Sequence, residues 1–169
     1  NVLSGNIANL ASTTSAVFFN PPVGSLSLSS TYAAWLSQYF WYGADTSLTA
    51  DPNQNGSPNL MEYALGQNPL AVGIPSSPPF ATYDSTTANG PWSTLTYRHN
   101  KTANDLTYDI WSSTDLTNWT LQNADGVNVL QETVNSDVDG DGTTELLRTR
   151  IKLGSTETKR FFKLGIRKN

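Results

Sequence analysis

The chain has no cysteine, one histidine and one methionine in 169 residues. Disulfide staples, thiolate catalysis and cysteine-based metal sites are therefore excluded, and a zinc site would need unusual ligands. Charge is scarce too: 14% of residues are charged, the net charge is −4, and no Lys or Arg precedes Arg98. The first half offers no basic surface to phosphates, so nucleic acid is not expected as a partner. No apolar run of about 18 residues exists to span a membrane, and no signal peptide is visible. His99, in Arg98-His99-Asn100, is the one imidazole; no G-x-S-x-G motif accompanies it, and no spacing singles out a carboxylate pair. Catalysis is not expected.

What is abundant is Ser, Thr and Asn, a balance that suits a secreted bacterial β-protein. The length allows one domain with a proper core, or one domain plus an arm. A chain that starts at Asn1 reads as a processed or excised piece of a longer precursor.

The most informative stretch is Asp51 to Glu62, DPNQNGSPNLME. Oxygen-bearing side chains stand at its first, third, fifth, ninth and twelfth positions and Gly56 at the sixth, the pattern of a calcium loop. Asp51, Asn53 and Asn55 would offer alternate side chains, Ser57 its carbonyl, Asn59 a direct or water-borne contact, and Glu62 both oxygens. With two formal charges the site is expected to be weak, near roughly 10⁻⁴ to 10⁻³ M, as in extracellular modules. Pro58 lacks the N–H through which paired EF-hand loops couple, so a solitary loop is expected. The competing reading is a polar turn capped by Ser57, with Pro58 opening a helix.

A second acidic stretch, DVDGDGTTE, places Asp137, Asp139, Asp141 and Glu145 in the first nine positions of such a loop. Its twelfth position is Arg148, so the expected reading is an Asp-Gly hairpin turn, with a second ion as the alternative.

Around these motifs the chain divides into an extended arm or linker at 1–29, a helix-loop-helix cap at 30–72 and a β-sandwich at 73–169. The arm scatters apolar residues among Ser, Thr and Asn, and its SLSLS stretch at 25–29 has the period of a half-buried strand. It packs on its own domain or pairs with a neighbouring molecule's sheet edge. Tyr32, Trp35, Leu36, Tyr39 and Phe40 share one helical face, with Ser29 or Ser30 as cap and Gly43 as stop; Trp41 points away from that face. A second short helix spans 58–65, stopped by Gly66 and Pro69.

Beyond a Pro-rich passage at 73–79, seven strands are expected: 80–83, 93–99, 106–112, 118–122, 127–134, 144–153 and 160–167. Inward residues by alternation are Leu95 and Tyr97; Leu106, Tyr108 and Ile110; and later Leu147, Ile151, Phe162, Leu164 and Ile166 or their strand-mates.

Trp35, then DPNQNGSPNLMEYALGQNP at 51–69, YDIWSSTDLTNW at 108–119 and RFFKLGI at 160–166 together resemble the C-terminal modules of large secreted proteins of Verrucomicrobia-like bacteria. The loop is also similar to thrombospondin type 3 and dockerin loops. The resemblance implies a helical calcium motif followed by a fibronectin-like sandwich, with Asp51, Asn53, Asn55, Asn59 and Glu62 at the matching ligand positions. Where this chain has Asn53 and Asn55, the family usually has Asp. No catalytic residue is implied.

Of the five Trp residues, Trp35 and Trp119 read as structural, whereas Trp41, Trp92 and Trp111 lack clear core partners and are candidates for a sugar-stacking platform. The expectation is a secreted, non-catalytic, calcium-binding structural or adhesive module of a cell-surface or extracellular assembly. Its partners would be the other domains of a precursor or copies of itself. The alternative is a carbohydrate-binding accessory module of a polysaccharide hydrolase.

Overall fold

The computed structural model describes residues 31–73, 78–85 and 90–169. The arm at 1–29 and the expected caps Ser29 and Ser30 lie outside the described residues. Among the described residues, two short helices, α1 (Tyr32–Leu36) and α2 (Asn59–Ala64), precede seven strands. These are β1 (Phe80–Asp84), β2 (Trp92–Asn100), β3 (Leu106–Ser113), β4 (Thr120–Gln122), β5 (Val129–Asn135), β6 (Thr144–Lys152) and β7 (Phe161–Lys168). All seven expected strands are present, with ends shifted by two residues or fewer.

The strands form two antiparallel sheets, one ordered β1-β2-β6-β5 and the other β4-β3-β7. Alternation dictates how they meet. Leu95 and Tyr97 of β2 and Leu147 of β6 pack with Tyr108 and Ile110 of β3 and Phe162 and Leu164 of β7. The two inner faces thus share one core, the layering that a β-sandwich requires.

The first helix departs from expectation. It is capped by Thr31, whose Oγ1 accepts the Ala34 amide at 3.3 Å, and it ends at Leu36 instead of continuing to Phe40. The chain then reverses through Tyr42 and Gly43, both with positive φ. Helical periodicity stops at Leu36, four residues before Phe40, and Phe40, expected in the core, is 80% exposed. Trp41, expected to point away, folds back instead: its ring lies 6.1 Å from Trp35 and its Nε1 donates to the Leu36 carbonyl at 2.8 Å.

Tyr32, Trp35 and Tyr63 centre this aromatic cluster, which Ala103 and Leu106 join from the β3 end of the sandwich. The rings meet at 5.4 to 5.5 Å in stacked, tilted and edge-on pairs, the arrangement that ring quadrupoles favour. Through it α1 and α2 close one end of the two sheets.

Candidate metal centre

The stretch from Asp51 to Glu62 coils on its own side chains. Asp51 Oδ1 accepts the Asn55 amide at 3.1 Å and Oδ2 the Gly56 amide at 2.8 Å, while Asn55 Oδ1 accepts the Ser57 amide at 2.8 Å. Gly56 sits at φ +85, and a Cβ there would meet nothing within 4 Å, so backbone angle and not space calls for glycine. Pro58 then precedes α2, where a missing N–H does no harm. The amides of Asn59 and Leu60 reach back to the carbonyls of Ala50 and Leu48, at 2.8 and 3.0 Å, which satisfies two donors of the first helical turn.

Glu62 is 1% exposed and Asn59 fully buried. Asn53 and Asn55 both donate through Nδ2 to Glu62 Oε1, at 3.0 and 2.9 Å. Oε2 has no partner among the described residues. Burial pushes the Glu62 carboxyl up; the Asn53 and Asn55 amides pull it down by less, and the Asp51 charge adds to the rise. Asn59 gives its amide hydrogens to the carbonyls of Asp45 and Ser47, at 3.2 and 3.0 Å, which fixes the side chain's orientation. Its Oδ1 is buried without a partner among the described residues.

Asn59 and Glu62 stand three apart on one face of α2. Glu62 Oε2, which feels the Asp51 charge, and Asn59 Oδ1 are buried oxygens without partners among the described residues, donors of the kind a hard cation takes. Asn53 and Asn55 turn their nitrogens toward Glu62, so ligation by them requires each amide to rotate its oxygen inward. Among the described residues no three Asp, Glu, His or Cys side chains converge. The acids of this loop are Asp51 and Glu62, and amides complete its donor set.

The far end of α2 is held by the sandwich. Asn100 Nδ2 donates to the Tyr63 carbonyl at 3.0 Å, Tyr108 Oη to Ala64 at 2.7 Å, Arg98 Nε to Leu65 at 2.8 Å and Arg98 Nη2 to Gly66 at 3.1 Å. Asp105 performs the same office for the start of the cap. Its carboxylate accepts the Tyr32 amide at 3.0 Å and the Tyr63 hydroxyl at 2.7 Å, with Lys168 Nζ 3.7 Å away.

The second acidic loop is the turn between β5 and β6. Asp137 Oδ1 accepts the amides of Gly140 and Gly142 at 2.9 and 3.0 Å, and Asp141 Oδ1 the Thr143 amide at 2.8 Å. Asp139 leaves the loop to pair with Arg98, Nη1 to Oδ1 at 3.1 Å. Glu145 holds His99 Nδ1 at 2.8 Å and accepts Thr133 Oγ1 at 3.3 Å. The four acids face different partners.

Of the three platform candidates, Trp92 is withdrawn: it is 5% exposed, with the Arg150 guanidinium 4.9 Å from its ring centre. Trp41 is spent on the aromatic cluster. Trp111 lies on the outer face of the three-stranded sheet, where Lys163 Nζ sits 5.4 Å from its ring and 5.1 Å from that of Trp119.

Sequence reasoning missed the polar ties Arg98, Asn100, Asp105 and Tyr108 as anchors of the cap. One signal was there: Arg98 is the first cation of the chain and stands near the end of a strand run with no other Lys, Arg, Asp or Glu. No protein-family model, curated protein or solved structure matches this chain.

Proposed function

We propose that this chain is a secreted, non-catalytic module in which a calcium ion staples the Asp51–Glu62 loop, serving as a structural or adhesive part of a cell-surface or extracellular assembly. The observation that carries this reading is the pair of buried oxygens without partners among the described residues, Glu62 Oε2 and Asn59 Oδ1, in a loop with calcium-site spacing. Asp51, Asn53, Asn55, Asn59 and Glu62 would hold the ion, with the Ser57 carbonyl. Its charge would neutralise a carboxylate that burial otherwise penalises. The module would be of the kind found at the C-terminal end of large secreted proteins of Verrucomicrobia-like bacteria.

The strand order supports a fibronectin- or immunoglobulin-like plan. The order β1-β2-β6-β5 is that of the A-B-E-D sheet of immunoglobulin constant domains, and β3 and β7 take the places of C and F. Strand G of that plan has no counterpart among the described residues.

The experiment is a melting curve in millimolar calcium and in excess chelator. For a site near 10⁻⁴ M, linkage gives about 1 to 1.5 kcal/mol, hence a higher Tm with calcium that Glu62→Gln removes. An unchanged Tm in the parent chain would overturn the reading.

A second reading, a carbohydrate-binding accessory module, is favoured by the indoles of Trp111 and Trp119, which lie close enough for Lys163 Nζ to reach both. Trp111→Ala would then abolish retention on polysaccharide.

A further inference from the structure

β1 and β7 are edge strands of opposite sheets, and each has one strand neighbour among the described residues. Among the described residues no strand lies between them. A groove of about 450 Å³ runs there, walled by Ala81 and Leu95 on one side and Phe162 and Leu164 on the other. Met61 and Leu65 of α2 close it at one end. Farther along the same seam, a second hollow lies between Tyr83 of β1 and Arg160, just before β7. Phe162 and Leu164 belong to the core, yet both are only half-buried. Gln67 also lines the groove, and both polar atoms of its side chain are buried without a partner among the described residues. In the immunoglobulin plan strand G would lie here, beside β7.

We propose that this groove receives an extended segment of residues 1–30 from a second copy of this chain, added as a strand to the open edge of β7. Three observations select that occupant. Every residue lining the groove is uncharged, and so is every residue from 1 to 30. Within those thirty, Leu26 and Leu28 alternate with Ser25, Ser27 and Ser29, so a strand built from them has one apolar and one polar face. The apolar face would continue the row of Phe162 and Leu164, while a backbone passing Gln67 would give its amide the partners it lacks.

The tether at Tyr32 argues for a second copy. The Tyr32 amide is held on the Asp105 carboxylate at 3.0 Å, and the Asn169 amide on the Asp105 carbonyl at 2.9 Å, so Tyr32 lies beside the end of β7. Within one molecule, residues 25–29 lead into that point and would run parallel to β7, past the stretch where Tyr108, the partner of Ile166, meets α2. A segment from another molecule is free to enter antiparallel, as every other pair in both sheets does. This inference needs no metal and stands on the sheet edges.

The test uses the full chain, which has no cysteine of its own. Light scattering in millimolar calcium should give a mass above one chain, and the double variant Leu26→Asp, Leu28→Asp should give one chain mass with an unchanged melt. Mixing Leu28→Cys chains with Ala81→Cys chains under mild oxidation should form a mixed disulfide dimer. Three results would each overturn the proposal: a parent chain of single mass, an assembly that survives the double aspartate variant, or failure of the mixed pair to cross-link. Calcium response is read in the same samples: a chain that assembles without one, or responds without assembling, shows which of the two proposals has failed.

Discussion

Arg98 Nε donates to the carbonyl of Leu65 at 2.8 Å, across a sequence gap of 33 residues, while the rest of the guanidinium holds Gly66 and Asp139. One buried side chain therefore ties the end of the candidate calcium motif to β2 and to the second acidic loop. Asp139, read from sequence as a metal ligand or a turn residue, completes the charge balance of that tie.

Arg98→Ala leaves two carbonyls at the end of α2 without donors and an aspartate without its cation. A loss of about 3 to 5 kcal/mol is expected, seen as a lower urea midpoint. Arg98→Lys should recover only part of it, because one ammonium does not reproduce the geometry of a planar fork.

Gly66 sits at φ +61, and a Cβ there would lie 2.2 Å from Thr144 Oγ1, itself a buried group. Gly66→Ala combines a disfavoured backbone angle with overpacking and should cost about 2 to 4 kcal/mol. The companion Gly66→Ala, Thr144→Ser keeps the hydroxyl and should recover little. Thr144→Ala in its place removes the clash and should recover more.

For Asp105, burial would raise the carboxyl, but the Tyr32 amide, the Tyr63 hydroxyl and Lys168 outweigh it and hold the group below its usual value. A depressed carboxyl contributes stability above its unfolded value, near pH 3.9, and loses it as pH falls through the folded value. Asp105→Ala should therefore lower stability by about 1 to 3 kcal/mol at neutral pH, with the gap to the parent closing under strong acid. Indole fluorescence from the Trp35–Trp41 cluster should report the change.

Glu62 has the opposite sign. Its carboxyl is raised by burial, so without metal its contribution to stability is present at low pH and is lost as pH rises through the raised folded value. A cation competes with the proton for that group. The calcium-dependent gain in Tm should then be larger at neutral pH than near the ordinary carboxylate value, about pH 4.3, and in chelator Glu62→Gln should be no less stable than the parent at neutral pH. Equal calcium gains at both pH values would count against Glu62 as a ligand.

The strands were legible because their signal is local. Leu95 and Tyr97, or Phe162 and Leu164, alternate within a few residues, and both pairs reach the shared core. The first helix was over-read because Tyr39 and Phe40 extend its period past Leu36, although the chain leaves the helix at Ser37; Tyr39 still reaches Trp35, and Phe40 does not stay on that face. The loop spacing was plain in sequence, but the two amides donating to Glu62 were not, since side-chain rotation leaves no mark on residue order. Asp105 and Asn100 were missed for a different reason. Each is a single polar residue whose partners lie 37 to 73 positions away, beyond any periodic pattern.

The helix that carries Asn59 and Glu62 is six residues long, too short to persist alone in water. The carbonyls of its last turn and of the two residues after it are bonded by Asn100, Tyr108 and Arg98, which take position only when β2 and β3 have formed. An order of events follows. The ion would arrive last, so the metal would act as a seal on a finished molecule, and a newly emerging chain would hold none until its strands had closed.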